Sequence, residues 1–224
     1  MQSRKILQSC LVLVLWVHGP AISAGNLITY TDEQLFNSKW PNLPVETFEE
    51  ADVEPNAAEA CSSPLSSTTM GNCFRRGDII EGLTISDLPG PQDGGIAAFG
   101  VGWMGLPSKT VAPNIANDRL NLVFAPPVNV IGLKLHTWGD DAPDTPTVRV
   151  YDPSDALIGQ FLADSSVQGD FLGMETFTPI GRIEVESMVE LPEVVDDIRF
   201  TIFDVSFKDG FEQPVAEDDT TDIY

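Results

Sequence analysis

Apolar residues recur at every second position in short runs along most of this sequence. Three runs show the pattern, each with its apolar side chains on one face of an extended chain: Leu120, Leu122 and Phe124; Ile131, Leu133 and Leu135; Ile198, Phe200 and Ile202. No window after Trp40 sustains a helical period for three turns. Strands with one apolar face pack as two facing sheets, so we predict an all-β, two-sheet β-sandwich of jelly-roll type.

Ten segments carry the composition and alternation of strands, and Gly, Pro, Asn and Asp separate them. They are residues 45–49, 78–85, 95–103, 119–124, 130–137, 147–151, 156–161, 171–176, 181–187 and 197–203. Between two of these segments, Asp152-Pro153-Ser154-Asp155 predicts a hairpin turn, because proline presets φ and an aspartate can bond its own backbone. One short helix is predicted within 27–40, where Thr31-Asp32-Glu33-Gln34 has the spacing of a capping box.

The first 24 residues have the organisation of a cleavable signal peptide. Arg4 and Lys5 precede an apolar run at 6–17, which is too short to span a bilayer, and small residues follow it. We expect cleavage after Ala24 or, second, after Ser23. Cys10 lies inside the apolar run and not after it, which does not suit a lipidated cysteine. The predicted destination is therefore outside the cytoplasm: secreted, periplasmic or at the cell surface, with no membrane span after the leader is removed.

The rest of the chain suits one acidic domain, residues 25–207, followed by an acidic and disordered tail at 208–224. The apolar fraction of 42% is sufficient for a core, and the formal net charge is −22. Loss of Arg4 and Lys5 with the leader makes the charge more negative still. Such a surface repels nucleic acid and anionic lipid, and it favours cations, calcium above all outside the cell. Solubility alone also explains the acidity.

Two cysteines remain after the leader, Cys61 and Cys73. In an exported protein they most simply form one disulfide, which closes a loop of about a dozen residues. Two free thiols are the alternative. A zinc site lacks a second cysteine pair or a histidine cluster. The segment that holds the cysteines, 51–77, is rich in Ser, Pro, Ala and Asn. It is predicted to be a long loop that its own disulfide closes.

Several short motifs, in their order along the chain, resemble a broad class of exported bacterial jelly-roll proteins, many of which carry a PEP-CTERM sorting tail. The motifs are Ile28-Thr29-Tyr30-Thr31-Asp32, Leu35-Phe36, Glu46-Thr47-Phe48-Glu49, Val130-Ile131-Gly132-Leu133, Val148-Arg149-Val150-Tyr151-Asp152, Phe171-Leu172-Gly173, Ile180-Gly181-Arg182-Ile183 and Val195-Asp196-Asp197-Ile198. The sorting tail is not matched: the sequence ends in Phe207-Lys208-Asp209-Gly210-Phe211-Glu212 and further acids, so we do not expect a membrane anchor of that kind. The resemblance implies no settled activity, and its fold is like that of carbohydrate-binding modules.

A sugar site is predicted where a strand bearing His136 leads into a loop. The loop contains Trp138, Asp140, Asp141 and Asp144. A flat aromatic face can stack on the apolar C–H groups of a sugar, and carboxylates accept hydrogen bonds from its hydroxyls. A core position for Trp138 and solvated loop acids are the alternative.

Jelly-roll proteins commonly place their first and last strands side by side, and carbohydrate-binding members often hold calcium there. Glu49, Asp196 and Asp197 occupy similar places in this sequence, so they are the predicted ligands of a structural calcium. Calcium needs six to eight oxygens, and backbone carbonyls would have to supply the others. Acids that simply flank strand ends are the alternative.

Catalysis is weakly supported. A Ser-His-Asp triad would depend on His136, and no nucleophile-elbow sequence is present. Glu50, Asp52 and Glu54 alternate along the chain and could serve a glycoside hydrolase, but Pro55 follows at once, and solvated acids are the better interpretation. We therefore predict a non-catalytic binding or structural module whose favoured partner is an extracellular polysaccharide or glycan. The alternatives are a carboxylate-based glycoside hydrolase and a cell-surface or matrix interaction protein.

Overall fold

The computed structural model describes residues 27–88, 94–115, 118–137, 145–187 and 194–201. These residues form twelve strands, one α-helix and one short 3-10 turn. The elements are β1 (Ile28–Tyr30), α1 (Glu33–Lys39), β2 (Val45–Glu46), β3 (Ala58–Cys61), β4 (Leu65–Ser66), β5 (Leu83–Leu88), β6 (Ile96–Phe99), the 3-10 turn (Trp103–Gly105), β7 (Thr110–Pro113), β8 (Arg119–His136), β9 (Thr147–Tyr151), β10 (Leu157–Leu162), β11 (Asp170–Glu186) and β12 (Val194–Phe200). The predicted leader and acidic tail lie outside the described residues.

Two long strands, β8 and β11, connect the two layers of the fold. The first part of β8 pairs with β5 and with the last part of β11, which also pairs with β9. We call this group layer A; β10 and β4 complete it. The second part of β8 pairs with β12 and with the first part of β11. We call this group layer B; β1, β2, β7, β6 and β3 complete it.

The main hydrophobic core lies between the layers and contains the predicted alternating residues that the structure describes; Ile202 lies outside them. A smaller buried cluster includes Phe99 and Leu106. Phe124 of layer A and Phe200 of layer B contact each other edge to face, with ring centroids 5.3 Å apart. Burial of each such side chain stabilises the fold by about 1.5–3 kcal/mol. The predicted antiparallel β-sandwich of jelly-roll type with one short helix is confirmed.

The strands differ from the predictions in several ways. The strand predicted at 78–85 is β5, which begins only at Leu83, and β1 and β7 were not predicted. Four predicted strands merge in pairs into β8 and β11, because each continues through a bend between the layers. The predicted strand at 45–49 is limited to β2, since a turn follows at Glu49 and Glu50. The segment 51–77 is not wholly irregular, as it contains β3 and β4.

Three local predictions are confirmed: the short helix, the hairpin turn and the disulfide. Helix α1 forms where the capping box was predicted, but its cap is Asp32, whose side chain accepts a hydrogen bond of 2.9 Å from the amide of Leu35. The hairpin turn is present, with Asp152 Oδ1 accepting from the amides of Ser154 and Ala156. The Cys61–Cys73 disulfide is also present. Within the described residues, no helix is long and apolar enough to cross a membrane.

Candidate functional site

Strand β12 contains a β-bulge that points two neighbouring carboxylates to the same face of layer B. The pairing with β8 shifts register between Asp196 and Arg199, and Asp197 has a left-handed φ of 49°. Val195 and Ile198, on either side, are fully buried in the core. Neighbouring strand residues normally point to opposite faces, and the extra residue of a bulge removes that constraint. Asp196 and Asp197 therefore both face outward.

Strand β8 supplies the residues opposite the bulge. Lys134 pairs directly with Asp196 in the register, and its Nζ lies 2.6 Å from Asp197 Oδ2. His136, two residues further along, belongs to the same face and is 3% exposed. Its Nδ1 is 3.1 Å from the carbonyl oxygen of Val167. The strand thus contributes one ammonium and one buried imidazole.

The turn after β2 adds the third side of the site. Buried Glu46 accepts hydrogen bonds from the amides of Phe48, at 2.9 Å, and Ile80, at 2.8 Å. These bonds fix a turn in which Phe48 has a φ of 55°. Glu49 follows and is exposed, with Oε1 accepting from the amide of Lys109 at 3.2 Å.

Together these elements enclose a polar cleft of about 360 Å³, which we call the His136 cleft. Loops 107–108 and 168 close it. Its lining residues are Thr47, Glu49, Pro107, Ser108, Lys134, His136, Gln168, Asp196 and Asp197. The Ser108 hydroxyl donates a short hydrogen bond to Asp196 Oδ2, and Asp196 Oδ1 accepts from the amide of Asp197 at 2.7 Å.

Burial controls the ionisation of two groups in the cleft. It raises the pKa of Asp196 to about 7, because the charged carboxylate is poorly solvated there. It lowers the pKa of His136, so the imidazole stays neutral near pH 7. The hydrogen bond to Asp197 raises the pKa of Lys134, which keeps its ammonium charged.

The His136 cleft brings together four of the predicted site residues: His136, Glu49, Asp196 and Asp197. Trp138, Asp140, Asp141 and Asp144 lie outside the described residues, so their part in a sugar site stays a prediction. Sequence reasoning did not assign Thr47, Ser108, Lys134 and Gln168 to a site. Lys134 could have been found, because it is two residues from His136 and shares its face of the strand. Loop residues such as Ser108 and Gln168 give no comparable signal.

Calcium binding also stays a prediction. Glu49, Asp196 and Asp197 line the same cleft, as expected, but the two aspartates already accept contacts from donor groups of neighbouring side chains. Lys134 contacts Asp197, and Ser108 contacts Asp196. Across the described ranges, no three His, Cys, Asp or Glu side chains are grouped as a metal site. A calcium ion at these oxygens would require both donors to turn away.

The geometry does not assemble a catalytic triad. Ser108 donates directly to Asp196, while the Nδ1 of His136 contacts a backbone carbonyl and not a carboxylate. A triad requires the histidine between the hydroxyl and the acid. The cleft is therefore described better as a set of hydrogen-bonding groups than as an activated nucleophile.

The acids considered for a glycoside hydrolase are on the surface. Glu50, Asp52 and Glu54 are all exposed, and they alternate with buried Ala51 and Val53. Glu50 and Asp52 border a separate polar depression, which Glu54 does not line. A general acid of this class needs a shielded environment that raises its pKa. Solvated acids remain the better interpretation of this run.

A second polar cluster lies on the outer face of layer A, and its members are paired with one another by hydrogen bonds and ion pairs. Glu184 is 4% exposed and accepts hydrogen bonds from Arg119 at 2.8 Å, Tyr151 at 3.2 Å and Arg182. The Arg182 guanidinium also stacks 3.8 Å above the Tyr151 ring. Arg149 pairs with Glu186. Because these groups satisfy one another, the cluster has a structural role between strands.

No family model matches the sequence, and no curated protein matches it. Two solved structures with a similar fold are carbohydrate-binding modules. One is a family 6 module whose binding sub-sites were dissected by crystallography and calorimetry; it is 12% identical, with a TM-score of 0.30 over 72% of this chain and 95% of that chain. The other is the CBM22-1 xylan-binding domain of Paenibacillus barcinonensis Xyn10C, 12% identical, with a TM-score of 0.32 over 70% and 92%. At this degree of likeness, neither match identifies a ligand for this chain.

Proposed function

We propose that this chain is an exported, non-catalytic module that binds carbohydrate in the His136 cleft. The observation that carries the proposal is the convergence, in one cleft of about 360 Å³, of side chains from two strands and three loops that are rich in hydrogen-bonding groups. A sugar presents many hydroxyls, each of which can donate and accept. Small-ligand sites characteristically combine a concave shape with a few convergent polar groups.

Trp138 supports the same proposal from the sequence. It follows His136 by two residues, and a stacking aromatic beside polar groups is typical of sugar recognition. The signal-peptide pattern at 1–24 supports an extracellular polysaccharide as the natural partner. A role through surface interaction alone, without a glycan ligand, is the competing proposal.

A glycan-array screen followed by calorimetric titration tests the proposal. We expect a polysaccharide fragment to bind, and Gln168→Ala to weaken its binding because Gln168 lines the cleft. Gln160→Ala is the matched control, since Gln160 is equally an exposed glutamine but lies on β10 of layer A. A blank array, or equal weakening by both variants, would contradict binding in this cleft.

Calcium is proposed as a structural ion of the same cleft. The support is that Glu49, Asp196 and Asp197 all line this cleft. A ligand that binds only the folded state raises the melting midpoint. We therefore expect calcium to raise the midpoint relative to a chelator, and Glu49→Gln to reduce that shift. An unshifted midpoint would remove calcium from the proposal and leave the carbohydrate site unaffected.

A further inference from the structure

Two donors that line the His136 cleft already have partners within the protein. Lys134 Nζ lies 2.6 Å from Asp197, and the Ser108 hydroxyl donates to Asp196. The remaining donors of the lining are the Thr47 hydroxyl, the Gln168 amide and the other N–H bonds of Lys134. The lone pairs of three carboxyl groups outnumber them, so the cleft offers a ligand more acceptors than donors.

His136 adds a buried acceptor. A carbonyl oxygen can only accept a hydrogen bond, so the Nδ1 that contacts Val167 must carry the proton. In the neutral ring Nε2 then holds a lone pair. This nitrogen is buried and has no hydrogen-bond partner in the part of the chain that the structure describes. An unsatisfied buried acceptor is costly, and a ligand N–H or O–H would remove that cost.

The charge in the cleft favours a cation. Three carboxyl groups, of Glu49, Asp196 and Asp197, face one ammonium of the lining, that of Lys134, and Asp196 is about half ionised near pH 7 because its pKa is about 7. Arg199, outside the lining, lies 3.8 Å from Asp197 Oδ2 but also pairs with Glu33, so the balance of the cleft stays negative. The whole chain has a formal charge of −22, so the long-range field acts in the same direction. Uronic acids and sulfated sugars are repelled, whereas a protonated amine is attracted and brings three N–H donors for the acceptors of the cleft.

From the surplus of acceptors, the free Nε2 of His136 and the excess of negative charge, we infer that the His136 cleft recognises the protonated amine of an amino sugar. This inference rests on the proposed carbohydrate function and specifies its ligand class. The ammonium contacts the carboxylates, and a ligand donor, the amine or a hydroxyl, reaches Nε2.

The test is a titration of the full chain, labelled with ¹⁵N-histidine, in the presence of a chelator. The sequence contains two histidines, His18 and His136, so a His18→Gln background assigns the imidazole signals. The probes are oligomers of glucosamine, of N-acetylglucosamine and of galacturonic acid, and spermine as a cation without a sugar. We expect the glucosamine oligomer to bind tightest and to move the Nε2 signal of His136, with the N-acetylated oligomer about tenfold weaker or more.

Two variants separate the cleft from general electrostatics. Glu49→Gln and Glu54→Gln remove the same charge, but only Glu49 lines the cleft. We expect Glu49→Gln to weaken glucosamine binding about tenfold and Glu54→Gln to leave it nearly unchanged. His136→Phe leaves the charge unaltered and should also weaken binding. If this variant does not fold, the Nε2 signal of the parent chain decides the same point.

The outcomes distinguish the inference from the proposed function. Equal binding of the glucosamine and N-acetylglucosamine oligomers at the cleft would overturn the inference and leave carbohydrate binding intact. Spermine binding as tightly as the glucosamine oligomer would also overturn it, because charge alone would then explain the attraction. If none of the three oligomers moves the His136 signal, the inference fails, and the glycan-array screen decides the proposed carbohydrate function separately.

Discussion

Two buried ionisable side chains, Asp196 and His136, make the stability of the fold depend on pH in opposite directions. Asp196 binds its proton more tightly in the folded state, so its contribution is full below pH 4 and is lost as the pH rises to about 7. His136 has a lowered pKa, so its contribution is full above pH 6.5 and is lost as the pH falls. The two effects partly cancel in the parent chain.

Asp196→Asn separates them. The side chain at position 196 of the variant cannot ionise. The contribution of His136 is the same in both proteins, so it cancels when their unfolding free energies are compared. We expect the parent chain to lose about 3 kcal/mol of unfolding free energy relative to Asp196→Asn between pH 5 and pH 8. Urea denaturation of both proteins at the two pH values measures this difference. A difference that does not change with pH would contradict the burial of a titrating Asp196.

Single residues also show how far the sequence predicts the site. Strand alternation correctly assigned core residues such as Leu133 and Ile198, because burial on one face follows the period of two. It does not predict that Asp196 and Asp197 share a face, since a bulge breaks that period. Ser108 reaches Asp196 across 88 residues of sequence, and no local pattern encodes such a contact.

At the scale of elements, the turn after β2 depends on one buried carboxylate. Glu46 is 5% exposed and accepts two backbone hydrogen bonds from separate segments. Glu46→Ala leaves two amides without acceptors and should lower the unfolding free energy by about 2–4 kcal/mol. Chemical denaturation checks this value, and Glu50→Ala on the adjacent turn is the exposed control. Equal, small effects of both variants would show that Glu46 does not hold the turn.

Apolar content and alternation, more than strand length, decided which strands the sequence revealed. The long strands β8 and β11 were found, although as separate halves, because each half has its own clear alternation. Strand β3 was missed: three of its four residues are exposed, so it carries almost no apolar signal. Strand β4 is two residues long and lies in a segment rich in Ser and Pro, so it shows no alternation of its own.

At the scale of the molecule, the Cys61–Cys73 disulfide ties the end of β3 to the loop that follows β4. Its cysteines are 12 residues apart. In the loop-entropy model such a link stabilises the fold by about 3 kcal/mol. We expect the Cys61→Ser, Cys73→Ser double variant to lose about this amount in chemical denaturation. A loss below about 0.5 kcal/mol would mean that the link adds little constraint to the unfolded chain.

The bulge in β12 has a consequence for the molecule as a whole. Val195 and Ile198 both face the core with two residues between them. A strand without Asp197 would also keep both inward, by simple alternation. Packing therefore does not require Asp197. The variant that lacks it should melt within a few degrees of the parent chain, with one negative charge fewer in the cleft and Lys134 released from its ion pair. A single extra residue, dispensable to the hydrophobic layer, thus decides whether the ammonium of Lys134 is held by the protein or is free to meet a ligand.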